Sequence, residues 1–125
     1  MTGQELRIKR VYLPSDTEDG LRVLVDRLWP RGLSRDKAQI DLWLKEIAPS
    51  ADLRHRFHGN PAGWDEFKIA YNGELQQEPA QSAVRELLDR LSQGPVTLLF
   101  AARDETHNNA VALKELLEEL GQRHG

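Results

Sequence analysis

A chain of 125 residues, 39% hydrophobic and 30% charged, suits one globular domain with a core of its own. Cysteine is absent, which excludes disulfides, thiolate metal sites and cysteine nucleophiles and fits a reducing compartment. No apolar run approaches the ~20 residues of a bilayer span, and MTGQELRIKR lacks a signal-peptide core, so no membrane partner and a cytoplasmic location are expected. The net charge of −3, from 17 basic and 20 acidic side chains, argues against a general nucleic-acid binder.

Arg7 to Leu13 reads as a first strand, with Ile8, Val11 and Leu13 as its apolar content. Pro14 to Gly20 is polar and turn-rich, a surface loop. It is too short for a helical crossover, which favours antiparallel pairing of its flanking strands if they are neighbours. A second strand runs from about Leu21 to Asp26, with the doubly buried composition of Val23-Leu24-Val25 at its centre. Asp26, Arg27, Trp29, Pro30 and Arg31 follow at once. Such charge at a strand's carboxyl end is where α/β folds mount a site.

Ser34 is a good N-cap for a short helix near Asp36 to Leu44, and Ile40, Trp43, Leu44 and Ile47 recur at helical spacing until Pro49. Ser50 caps a second helix with Leu53 and Phe57 one turn apart, and Phe57 to Pro61 form a turn. Trp64, Phe67, Ile69, Tyr71 and Leu75 mark the next helix; Trp43, Trp64, Phe67 and Tyr71 are expected in the core. Val84, Leu87, Leu88 and Leu91 give Ser82 to Leu91 an amphipathic stripe, ended by Gly94-Pro95. Val96 to Ala102 is the clearest buried strand. Asp104 or Thr106 then caps a last helix carrying Leu113, Leu116, Leu117 and Leu120, while His124 reads as tail. No repeat or linker divides residues 1–125.

The strand from Val96 also passes into charge, Arg103-Asp104-Glu105-Thr106-His107-Asn108-Asn109. A helix beginning there offers unpaired backbone N–H groups and about half a positive charge, an anion seat. If the two strands are parallel neighbours, Arg27 and Arg31 face Arg103, His107 and Asn108 across one crevice. The expected ligand is a small anion bearing phosphate or carboxylate, contacted by Arg27, Trp29, Arg31, Arg103 and Asn108. Asp26, Asp104 and His107 are the candidates for proton transfer if the protein is an enzyme. A non-catalytic sensor of the same ligand is the alternative.

DRLWPRG, LKEIAPS, FHGNP with AGWDEF, and AARDETHNNAVALKELL, in this order, resemble the YeaO-like family of small bacterial proteins, within domain of unknown function 488. The resemblance runs from about Ile8 to Leu120. It implies a small single α/β domain with a Rossmann-like, mostly parallel sheet of few strands flanked by helices, and on this point it takes precedence over antiparallel pairing. Longer relatives resemble the chain at both strand ends, but carry a Cys-His pair opening the last helix where this sequence has Asn108 and Asn109. YeaO-like members often keep a histidine at the second position. The departure argues against nucleophilic and two-histidine metal chemistry.

Each candidate also has a structural reading. Asp26 and Arg27 form a salt bridge as readily as an acid/base and anion clamp, Trp29 packs, and His107 caps or fixes a loop. His58 and His107 with Asp26 and Asp104 could make a His/carboxylate site suited to zinc, iron or manganese. None has the spacing of a dedicated metal motif, so no cofactor is assigned. The basic first half, with Trp29 stacking on an unpaired base, leaves room for nucleic acid as a less favoured partner. Walker, Gly-x-Gly-x-x-Gly, Gly-x-Ser-x-Gly and His-Glu-x-x-His motifs are absent.

Overall fold

Val96 to Phe100 are all buried, and the sheet is assembled on both edges of the strand they make. The computed structural model describes residues 5–58 and 60–124. In it β1 (Leu6–Arg10), β2 (Leu21–Leu24), β3 (Leu42–Trp43) and β4 (Val96–Phe100) lie in the order β1-β4-β2-β3, every neighbouring pair parallel. The helices are α1 (Arg35–Ala38), α2 (Ala51–Phe57), α3 (Trp64–Leu75), α4 (Ala80–Gln93) and α5 (Asn109–His124). The fold is α/β, as the sequence implies, and its sheet is all parallel where the resemblance implies a mostly parallel one. Gly59 of the expected turn and the side chain of His124 lie outside the described residues.

Side chains alternate across the sheet. Val23, Val25, Val96, Leu98 and Phe100 meet Leu53, Phe67, Tyr71, Leu87, Leu113 and Leu117 from the helices in the main core. Leu24 and Leu99 point the other way, into a smaller cluster with Val11, Trp29, Leu33, Ile40 and Trp43. The longer helices thus cover one face of the sheet, and loops with the short α1 cover the other.

Antiparallel pairing of the first two strands does not occur, because they are not neighbours. β4 lies between them and both run parallel to it. Residues 11–20, reaching up to ~3.3 Å each, are long enough to return along a strand and step over one. This crossover is not wholly surface either. Asp19 is 3% exposed and its Oδ2 meets Arg22 Nη1 at 2.5 Å and Lys9 Nζ at 3.0 Å. Arg22, 4% exposed, also donates to the carbonyls of Ala38 and Gln39 at 2.9 and 2.8 Å. Gly20, at φ +66°, brings its backbone so close to Pro95 that a Cβ would overlap the Pro95 carbonyl oxygen.

A second correction concerns the helix expected near Asp36 to Leu44. Ser34 does cap it, accepting from Lys37 N at 3.2 Å, but α1 ends at Ala38 and Gln39 turns left-handed at φ +50°. Leu42 and Leu44 then pack on the main core while Trp43 packs on the smaller cluster, the period of a strand. Ser50 caps α2 as expected, accepting from Leu53 N at 3.1 Å. Strands one, two and four each end earlier than expected, at Arg10, Leu24 and Phe100.

Candidate functional site

The last helix does not begin where β4 ends. Residues 101–108 form a loop, and Asn108 opens α5 by accepting from Val111 N on its Oδ1 at 3.0 Å. Asp104 closes a turn inside the loop instead, accepting on Oδ1 from the amides of Thr106 and His107 at 2.9 and 3.0 Å. Those amide bonds, Thr106's first, hold the exposed Asp104 carboxyl below its ordinary range. His107 therefore lies in the loop, not in the first helical turn. Its Nδ1 is 2.9 Å from Thr106 Oγ1 and 3.3 Å from Asp104 Oδ2, and its ring stands edge-on to Trp64 at 5.3 Å.

Between this loop and α2–α3 lies a cleft of about 500 Å³ at the carboxyl end of β4. Arg103, Asp104, His107, Asn108 and Asn109 form one wall. Pro49, Arg54, Phe57 and His58 form the opposite wall, continued by Asn60, Trp64 and Phe67. The aromatics brace one another: Trp64 stacks on Phe67 at 5.6 Å and Phe57 meets Phe67 edge-on at 5.9 Å. Trp64 and Phe67 are thus walls of the cleft as well as neighbours of the core.

Asp26 stands behind Asn109. Its Oδ2 accepts from Ala101 N at 2.8 Å and its Oδ1 from Asn109 Nδ2 at 3.2 Å, while Asn109 Nδ2 also donates to the Val25 carbonyl at 3.0 Å. Burial raises the Asp26 carboxyl above its ordinary value, against the opposing pull of these bonds and of Arg54. One carboxylate thereby ties the ends of β2 and β4 to the start of α5. Asn109 thus lines the cleft with its amide nitrogen spent on Asp26 and Val25.

A family model described as the inactive DUF488-N3 subclade matches residues 5–125. The chain belongs to that subclade. Among curated proteins it is similar to "Uncharacterized protein YeaO" of Escherichia coli K12, 41% identical over 92% of this chain and 98% of that protein. It is also similar to "Uncharacterized protein Rv3073c" of Mycobacterium tuberculosis H37Rv, 40% identical over 90% of this chain and 92% of that one. No solved structure matches it.

In this DUF488-N3 protein, the expected sharing of one crevice by both strand ends is met only in part. Arg103, Asp104, His107 and Asn108 come together, and Asp26 reaches them through Asn109. Arg27, Trp29 and Arg31 do not line the cleft. Trp29 turns to the loop-covered face, where it packs edge-on to Trp43 at 5.4 Å, donates to the Leu33 carbonyl at 2.6 Å and lies beneath Arg35. Arg31 is exposed, its carbonyl accepting from Tyr12 OH at 3.0 Å. Arg27 is exposed and donates to the Ala48 carbonyl at 3.2 Å; it makes no salt bridge to Asp26.

Sequence reasoning missed Arg54, Phe57, Asn60 and Asn109 as site residues. The Gly, Asn and Pro cluster after Phe57 was the available signal, since binding residues gather on such loops. Among the described residues no three His, Asp or Glu side chains converge on a point where a metal ion would sit. No described helix is long and apolar enough to cross a membrane.

Proposed function

We propose that this protein is a cytoplasmic ligand-binding module whose cleft holds a small anion without transforming it. The observation that carries the reading is the cleft itself, lined by aromatics and by two arginines, Arg54 from α2 and Arg103 from the loop after β4. Guanidinium forks suit phosphate and carboxylate oxygens, and the aromatic walls lower the effective dielectric around the charge. Binding without turnover is supported by the chemistry of the lining. Among its described residues no hydroxyl, thiol or amine side chain is present to act as a nucleophile, and the one carboxylate, Asp104, accepts from the amides of Thr106 and His107. Asn108 and Asn109 supply amides at the start of α5, and the description of the subclade as inactive agrees with this. The lack of cysteine supports the cytoplasmic setting.

Titration of the protein with inorganic phosphate, followed by amide and indole chemical shifts, tests the reading. Signals of Trp64 and His107 should move, and Arg103→Ala should weaken binding by about tenfold, the scale of one charge-assisted hydrogen bond. Equal affinity in the variant, or no shift at all, refutes the site. A second reading, proton transfer by His107, is favoured by one observation: Asp104 Oδ2 lies 3.3 Å from His107 Nδ1, as an orienting carboxylate would. His107→Ala separates the two, since unchanged affinity with lost turnover would make the protein an enzyme.

A further inference from the structure

Three adjacent strands deliver an arginine to the same edge of the sheet. β1 ends at Arg10; Arg103 lies three residues beyond the end of β4, and Arg27 three residues beyond the end of β2. Because β1, β4 and β2 are neighbours and parallel, with Leu24 opposite Leu99 and Arg10 opposite Phe100, the strand ends that lead to these residues lie side by side, that of Arg103 in the middle. Adjacent strands are about 4.8 Å apart, so the ends of β1 and β2 stand roughly 10 Å apart on either side of β4. Arg54, on α2, adds a fourth guanidinium to the lining of the cleft.

Two of the four are pinned by backbone. Arg10 donates to the carbonyls of Ala102 and Ala101 at 3.0 and 3.1 Å and lies over the Tyr12 ring. Arg27 donates to the carbonyl of Ala48, the residue before Pro49 in the cleft wall. A guanidinium has five N–H donors, so each keeps several to offer. Among the described residues none of the four forms an ion pair, whereas Lys68, Arg85, Arg90 and Lys114 on α3, α4 and α5 each have an acidic partner. Asp104, the only carboxylate among the described cleft-lining residues, is turned to the amides of Thr106 and His107. At the carboxyl edge of the sheet these four arginines are thus without an ion-pair partner, Arg54 acting on Asp26 only at longer range. Their mutual repulsion favours a ligand that neutralises several at once.

We propose that the ligand of the cleft is a polyanion, with linked anionic groups as in a diphosphate or triphosphate. One group lies between Arg54 and Arg103, and the next runs outward past Pro49 to Arg27, which donates to the neighbouring Ala48 carbonyl. The inference rests on the reading of the cleft as an anion site and adds a second locus outside it.

Titration of the full chain with orthophosphate, pyrophosphate and tripolyphosphate, in metal-free buffer at low salt, tests it. Tripolyphosphate should bind at least about tenfold more tightly than orthophosphate, the increment of one further charge-assisted contact. Its affinity should fall more steeply as salt is added. Arg27→Gln should remove most of that gain and leave orthophosphate affinity as it was. If orthophosphate binds and tripolyphosphate binds no tighter, the polyanion inference is overturned while the cleft remains an anion site. A gain untouched by Arg27→Gln overturns it too, since the second group then lies elsewhere. If none of the three binds, both readings fail.

Discussion

Replacing Asp19 by alanine should cost this protein a large share of its stability, although the residue belongs to a loop that reads as solvated. The carboxylate is 3% exposed and lies between Arg22, 4% exposed, and Lys9, and its Oδ2 also accepts from Asp16 N at 3.1 Å. Lys9 is partly exposed and would turn to solvent. Arg22 cannot, because its Nε and Nη2 stay fixed on Gln39 and Ala38 while Nη1 loses its only anion. Removing one partner of a buried pair typically costs about 3–5 kcal/mol. Domains of this length hold roughly 6–19 kcal/mol in all, and the unfolding entropy near 60 °C converts the loss into a fall in Tm of roughly 10–20 °C. Urea denaturation should show a lower midpoint at unchanged slope.

The pH dependence gives an independent check on the same residue. Burial alone would raise the Asp19 carboxyl, but the Lys9 hydrogen bond, with Asp16 N and Arg22, outweighs it and holds the group below its ordinary value. A carboxyl depressed by folding contributes stability that is present above the unfolded value and lost as pH falls through the folded one. The gap between wild type and Asp19→Ala should therefore be full at neutral pH and close below about pH 4. A loss under about 1 kcal/mol at pH 7, or a gap that does not narrow in acid, would refute the view of Arg22 as a buried charge dependent on Asp19.

Asp26→Ala should cost about 1–3 kcal/mol in denaturant unfolding, because the Ala101 amide and the Asn109 side chain lose their acceptor. Since burial raises the Asp26 carboxyl, its contribution to wild-type stability declines as pH rises from its unfolded toward its folded value, and the variant should lack that decline. Gly20→Ala should lower stability by more than about 1 kcal/mol, since it adds left-handed strain to an overlap with the Pro95 carbonyl; calorimetry decides it. Tyr71→Phe, in the main core, should cost about 1–2 kcal/mol by stripping the Ile47 carbonyl of the phenol that donates to it at 2.5 Å. An unchanged melting temperature would refute that donor role.

Local chemistry was readable without coordinates wherever one residue type satisfies one local demand. Ser34 and Ser50 cap helices because a short hydroxyl reaches the orphan amides of a first turn. Val96 to Phe100 had to be a buried strand, and Val84 with Leu87 one face of a helix, because period and burial are properties of consecutive residues. Composition, the missing cysteine and the charged strand ends were equally plain from the chain alone. So was the general place of the cleft, because a parallel strand that ends in charge marks the sheet's carboxyl edge.

Tertiary structure decided what depends on partners far away in the chain. Trp43 sits at helical spacing from Ile40 and Ile47, yet it lies in a strand because Val23 and Leu24 offer an open edge to pair with. Trp29 and Arg31 follow β2 as Arg103 follows β4, but the chain carries Trp29 over the loop-covered face, where Trp43 and the Leu33 carbonyl receive it. Asn109 is fixed at the cleft by Val25 and Asp26, more than 80 residues earlier, which take its amide nitrogen. Which strand ends are neighbours followed from strand order, β1-β4-β2, and no reading along the chain contains that order.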